Sequence, residues 1–471
     1  MAVETTDVHH ASGHRPNLAL AKLIAASGAS HKALAARVNQ HCEAQGKPAS
    51  YTHTSVANWI SGMTPRWPTP LAIAAALTER LARPVSVIEI GMPPPATTSP
   101  EIGLDFPREL PTAIDTATAW WVLGDQVNRR AFHQLTFAAA AFAMPTTRWL
   151  IQPADASATI ERPRPRARRV GAADIAELHE AAEHARRSDS KYGGGSWGAS
   201  MVDACLRERA VPLLKGTYSD DVGRHLFAVT AQLGRLAGYS AWDVGDQARA
   251  QRHYIQALRL ARAAGDVALG GYVLASMSLQ AGLNDFCNDA IDMAQGAYER
   301  ARHRATPRTL AFFKLVEARA HARAHASRAA GLALAQAETL LSQARPDDPD
   351  PGWIDFFTYA RLAADATEIH RDLQMPHMVM RFEELATMPA DAYTRSCGMR
   401  NAIVGSAHLE ARRLDEGLHF GHRAVDILSQ VASTRSLTYV RHFLEALKPW
   451  NAETCAQEFR HRVRQELRVP A

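Results

Sequence analysis

The sequence predicts an all-α chain: a small helical domain followed by a long α-solenoid of helical hairpins. Three observations carry that expectation. Alanine and leucine dominate and β-branched residues are sparse in most windows, which favours helix over strand. Small residues recur at a fixed interval: Ala250 and Ala257, then Ala290 and Ala297, then Ala330 and Ala337, each 40 residues further on. Glycine, proline and aspartate punctuate the chain at helix-sized distances. The 471 residues, 46% hydrophobic and 21% charged, have an ordinary globular composition and a length that suits two or three domains.

Residues 1–14 read as a disordered polar tail, and residues 15–92 as a compact unit of four short helices. "NLALAKLIAASGAS" gives a first helix ending near Ser27-Gly28. Ser30 is an N-cap for "HKALAARVNQ", where Leu34 and Val38 form an i, i+4 apolar stripe. A loop containing Gly46-Lys47-Pro48 follows. Thr52 can cap a third helix over 53–61, with Gly62 as its stop. Thr69-Pro70 opens a fourth helix through Leu81. At ~100° per residue, Val56, Trp59 and Ile60 of the third helix face inward. Thr54, Asn58 and Ser61 fall opposite, with Tyr51 leading in on that side and Ser55 flanking. Charge is concentrated here: residues 15–84 hold eight basic side chains against two acidic ones, an excess larger than the whole chain's +5. A basic domain on a nearly neutral remainder suggests a polyanionic partner.

Four short helices, with the second and third in succession, form a helix-turn-helix arrangement. The exposed face of the third helix is polar and uncharged. An Asn can pair bidentately with an adenine edge, and a Thr can donate to a base or cover a thymine methyl. The helix N-terminus, His31, Lys32 and Arg66 would approach phosphates. The candidate DNA-binding residues are therefore Lys32, Tyr51, His53, Thr54, Ser55, Asn58 and Arg66. "SHKALAARV" and "VANWISGMTPRWP" resemble the second and third helices of the Xre (lambda-repressor-like) family. The connection departs from that family: about ten residues separate Gln40 from Tyr51, where the family has a tight turn.

Residues 93–171 read as a hinge, connecting helices with Trp120, Trp121 and Trp149, and an Arg/Pro-rich linker, "ERPRPRARRVGAAD". Residues 172–449 form the helical array, and 450–471 a basic tail or short helix. Within "AGYSAWDVGDQARAQRHYIQALRLA", Gly238 sits at a close helix contact and Gly245 ends a helix. Ala250, Tyr254, Ala257 and Leu258 mark one face of the next. This is similar to the tetratricopeptide pattern. "ARPDDPDPGW" at 344–353 breaks the register, which resumes between His377 and Gly417 and between Glu384 and Ala424. Such hairpins stack because none buries its apolar face alone, and the groove they form suits a peptide, a protein segment or a second copy.

Other function classes find little support. No run approaches a membrane span, and the N-terminus lacks a signal-peptide layout. The five cysteines are scattered, which points to free thiols. His179 and His184 are five apart and miss a common helical face; His321 and His325 lack a third ligand. Gly193–Gly195 has no following Lys-Ser/Thr for a phosphate loop. No catalytic residue, cofactor or metal site is expected.

Taken whole, "HTSVANWISGMTPR", "RPVSVIEIGM", "RRVGAADIAELHEAA", "YGGG" and "LLKGTYSDDVGRHL" resemble large actinobacterial regulators. These carry an N-terminal Xre-like helix-turn-helix and a C-terminal tetratricopeptide-like region, and affect development and secondary metabolism. The resemblance implies a cytoplasmic transcriptional regulator that binds double-stranded DNA as a homodimer. Its repeat groove would take a peptide or protein ligand. Two alternatives stand beside it: an interaction adaptor with a vestigial helix-turn-helix, and a non-specific nucleic-acid binder acting through the arginines of 162–169.

Overall fold

The computed structural model describes residues 16–44, 49–65, 69–81, 83, 85, 87, 89–92, 102–123, 137–159 and 168–467. Helix is the only extended regular structure among them; one isolated bridge joins Arg169 to Thr217. The chain divides into two units, 1–99 and 100–471. The polar tail over 1–14, the Gly46–Pro48 loop and Arg162, Arg164 and Arg166 lie outside the described residues.

The N-terminal unit holds α1 (Leu18–Ser27), α2 (His31–Ala44), α3 (His53–Ile60) and α4 (Thr69–Leu81). Local chemistry sets their ends. The Asn17 side chain accepts from the Leu20 N–H at 3.0 Å, capping α1, and Gly28 ends it in the left-handed region at φ 62°. Ser30 Oγ accepts from the Ala33 N–H at 3.2 Å. Helix α2 runs to Ala44, a turn beyond Gln40, so part of the long connection is itself helix. Leu20, Ile24, Leu34, Val38, Val56, Trp59, Ile73 and Leu77 form a common core.

The second unit opens with α5 (Leu110–Leu123), α6 (Ala143–Ile151), α7 (Ala172–Tyr192), α8 (Trp197–Cys205) and α9 (Val211–Leu214). Five hairpins follow: α10 (Asp220–Asp243) with α11 (Gln247–Ala264), α12 (Val267–Leu283) with α13 (Cys287–Ala301), α14 (Pro307–Arg323) with α15 (Ser327–Gln343), α16 (Tyr359–Asp372) with α17 (Pro376–Glu383), and α18 (Thr394–Glu410) with α19 (Leu414–Leu428). Helices α20 (Thr434–Ala446) and α21 (Thr454–Leu467) complete the array. The result is all-α and solenoid-like.

The five hairpin turns repeat one backbone motif. Gly245, Asp285, His325, Gln374 and Arg412 each take positive φ, between 55° and 91°. The next residue's N–H reaches the carbonyl five back: Asp246 to Ala241, Phe286 to Ala281, Ala326 to His321, Met375 to His370 and Arg413 to His408. These are Schellman turns. Only the first uses glycine. The 40-residue alanine period has the same origin: Ala250, Ala257, Ala290, Ala297, Ala330 and Ala337 are wholly buried on the second helices. Ala250 and Ala257 lie against α10, where a Cβ at Gly238 would stand 2.7 Å from the Tyr254 ring.

One expectation needs correction. After the 344–353 loop the register does not resume at His377 and Glu384. The residues that bury on this hairpin as the alanines do elsewhere are Val379 and Ala386, two positions later, and His377 is exposed. The connecting helices expected within 93–171 are present as α5 and α6, and the described residues there pack on the array. Arg252 and Arg259 of α11 donate to the carbonyls of Ile102, Pro107 and Arg108, and Gln256 donates to Gly103 and Asp105. Phe106, Trp120, Trp121 and Trp149 join the main core. Of the two readings of the C-terminal segment, a basic tail or a short helix, the helix is found: α21 buries Phe459 and Val463 beside Phe443 and Leu444.

Candidate nucleic-acid interface

Helix α3 is held at both ends. Asn39 on α2 donates from Nδ2 to the Tyr51 carbonyl at 3.0 Å and accepts from the Tyr51 N–H at 2.9 Å. The entry to α3 is therefore fixed directly to α2, whatever the length of the loop between them. The Thr52 N–H donates to Ser55 Oγ at 3.2 Å, and the Ile60 carbonyl accepts from the Asn17 N–H at 2.8 Å. Val56 and Trp59 are buried, Ile60 half-buried.

The other face carries His53, Thr54, Ala57, Asn58 and Ser61, all exposed. The Asn58 side-chain amide has no partner among the described residues; its backbone carbonyl accepts from Ser61 Oγ at 2.8 Å and from the Met63 N–H at 2.9 Å. The Thr54 hydroxyl has only the His53 ring nearby, at 3.5 Å. Lys32 is exposed on the first turn of α2. The remaining candidates are placed differently. Ser55 is half-buried and committed to the cap. Tyr51 is half-buried, its ring edge-on to Trp59 at 5.1 Å and its hydroxyl 2.8 Å from Thr69 Oγ1, so it braces α3. Arg66 lies outside the described residues.

The fold pairs two of the basic side chains counted from sequence with carboxylates. Arg37 pairs with Glu79 at 2.5 Å, and its hydrogen bond holds the Glu79 carboxyl below its usual range. Arg83 pairs with Glu89 at 2.7 Å. Lys22, Lys32 and Arg80 remain exposed with no ion pair among the described residues.

The second unit carries a buried ionic seam along the first helices of its hairpins. Wholly buried Asp243 accepts from Arg395 Nη1 at 2.9 Å, Arg435 Nε at 3.0 Å and the Gly194 N–H at 2.8 Å. Arg395 also reaches Asp189 at 2.8 Å. Burial pushes the Asp243 carboxyl up, but Arg395 and Arg435 outweigh it and hold it below its ordinary value. Likewise burial opposes, and Arg319 and Arg371 overcome, a shift that leaves Glu368 at about 2. The seam joins α7 and α10 to α18 and α20, so late helices return to early ones. Gly193–Gly195 makes the approach possible. A Cβ at Gly194 would stand 2.6 Å from the Ser240 carbonyl, and Gly195 donates to the Ala432 carbonyl at 2.8 Å. The glycines serve close packing. The sequence showed them without showing the distant partner.

Beside this junction an open groove of about 570 Å³ is lined by His184, Arg187, Tyr192, Trp197 and Gln430. Trp197 is 77% exposed. The five cysteines are free thiols, and no helix among the described residues is long and apolar enough to cross a membrane.

A family model described as the SP15 N-terminal domain matches residues 20–93, the span of the four N-terminal helices. No curated protein matches the chain.

Proposed function

We propose that the chain is a sequence-specific DNA-binding transcriptional regulator of the Xre type, cytoplasmic, with α3 as its recognition helix. One observation carries the reading: α3 is clamped by Asn39, Asn17 and its buried Trp59, yet turns an unpartnered Asn58 amide and the Thr54 hydroxyl to solvent. A rigid helix with free amide and hydroxyl groups is what base-edge readout requires. Lys32 supplies a phosphate contact. The repeat unit, tetratricopeptide-like, is the dimerising or sensing half. The groove at Trp197 supports a protein or peptide partner, because exposed tryptophan is a common interface anchor.

The test is binding to DNA fragments from upstream of the chain's own gene at fixed salt. Asn58→Ala and Thr54→Ala each remove about 1–3 kcal/mol of discrimination, roughly 5- to 150-fold, at single base positions. Unchanged affinity and preference in both variants would sink the assignment. A second reading, an interaction adaptor, draws on the Arg37–Glu79 and Arg83–Glu89 pairs, which leave the domain a modest positive field. An adaptor would elute from a DNA column with little dependence on sequence.

A further inference from the structure

The first helices of the hairpins, with α7 and α20, surround a cavity of about 110 Å³. That is room for a small ion with a few waters. Seven arginines line it against three carboxylates. Six of the seven are engaged by carboxylates or, at Arg400, by the Ala386 carbonyl.

Arg235 is the exception. It is only 9% exposed and forms no ion pair among the described residues. Its Nε donates to Ser276 Oγ at 3.0 Å, and neither Nη nitrogen has a hydrogen-bond partner among the described residues. The guanidinium lies over the Tyr272 ring at 4.1 Å and the Tyr239 ring at 5.1 Å, an arrangement that fixes its plane. Cation–π contact is worth ~0.5–2 kcal/mol, less than the several kcal/mol that desolvating an unpaired cation costs. The local potential is positive as well. Burial pushes the Tyr239 phenol up, yet Arg435 and Arg395 outweigh it and leave it below its ordinary value. Leu236, Leu279 and Val316 add apolar surface to the wall.

We propose that this cavity is a binding site for a small oxyanion, a phosphate or short carboxylate, received by the two Nη groups of Arg235 between Tyr239 and Tyr272. Paired N–H donors in one plane match two oxygens of such a group, and the charge-assisted bonds form where water is scarce. The site is independent of whether α3 reads DNA.

The full chain is titrated with inorganic phosphate, acetate and propionate at constant ionic strength, with chloride as the balancing anion. Tryptophan fluorescence reports locally, since Trp242 lines the cavity and Trp353 stacks on Tyr272 at 4.5 Å. Thermal melting reports stabilisation, which grows with ligand concentration above Kd. A saturable response to phosphate alone or to the carboxylates alone identifies the source, and response to both identifies a general oxyanion site. Arg235→Met should weaken binding at least tenfold. Ser396→Phe, which fills the cavity from a half-buried position, should do the same and decides the matter if Arg235→Met does not fold. The proposal fails if no anion gives a saturable response in the wild type. It fails equally if Ser396→Phe responds as the wild type does.

Discussion

Replacing Asp243 by Asn preserves shape and removes one charge at the point where the array returns on itself. Asp243 serves three donors, Arg395, Arg435 and the Gly194 N–H. An amide offers one oxygen. If it faces Arg395 and Gly194, its NH2 opposes the Arg435 guanidinium, donor against donor. In the other orientation it opposes two donors. Arg395 keeps Asp189, and Arg435 keeps only the Tyr239 hydroxyl at 3.1 Å and the face of Trp242. Breaking a buried ion pair costs about 3–5 kcal/mol, and the surviving Arg395–Asp189 contact places this case near ~3. The unit spans 100–471. At ~2.1 cal/mol/K per residue its unfolding entropy is about 0.8 kcal/mol/K, so the melting midpoint falls by roughly 4 °C. The assay is thermal denaturation by circular dichroism at pH 7, with Asp221→Asn, an exposed carboxylate, as control at under ~0.5 kcal/mol. The sign with pH is fixed. The folded carboxyl lies below its unfolded value of ~3.9, so its contribution is complete above about pH 5 and is lost as pH falls through the folded value. The gap between wild type and variant must narrow in acid. A midpoint within 1 °C of wild type at pH 7 (by the entropy above, under ~1 kcal/mol), or a gap that widens in acid, refutes the reasoning.

His325→Gly should stabilise the array by about 0.5–1 kcal/mol, because a side chain at positive φ costs ~1–2 and glycine returns part of that in unfolded-state entropy; chemical denaturation midpoints check it. Asp285→Gly should gain less, since it also loses the 2.9 Å pair with Arg323. Trp59→Ala should cost ~3–5 kcal/mol and melt the N-terminal unit first, leaving most helicity intact in a thermal scan. Asn58→Ala should leave that melting unchanged within ~0.5 kcal/mol, since the side chain touches no partner. Acid titration by circular dichroism should show the repeat unit losing stability from about pH 4.5 downward, as Glu368 is protonated toward its folded value of about 2.

The parts of the fold legible in the sequence were those set by neighbours along the chain. Ser30, Gly28 and Gly245 act within a few residues, and they sit where local rules place them. The 40-residue period was readable because Ala250, Ala290 and Ala330 bury at one register. It was misread at His377 because the repeat from the Gln374 turn to the Arg412 turn spans 38 residues rather than 40, which puts Val379 and Ala386 two positions later than a uniform period predicts. Four turn residues were unreadable in principle: Asp285, His325, Gln374 and Arg412 take a conformation that glycine marks and they do not. On α3, the exposed and buried faces followed from the helical wheel. The inward turn of Tyr51 did not, because it depends on Asn39 and Thr69 across the domain.

The ionic seam was invisible for the same reason, and its placement explains why the array needs it. The second helices pack through alanines that are interchangeable between repeats, and interchangeable contacts cannot specify where a superhelix should close. Apolar burial is non-directional. The first helices of four of the five hairpins carry different charges, Asp243, Arg319, Asp365 and Arg395, and with Asp189 of α7 these match one partner set. Only the closure that brings α18 and α20 to α7 and α10 satisfies them together, since every other register strands a buried charge at several kcal/mol. A seam of this kind should end with every charge matched. It ends instead with Arg235 without a carboxylate partner among the described residues, its edge on a cavity lined by the seam. That mismatch is easier to understand as a site completed by a ligand than as a cost the fold carries without return.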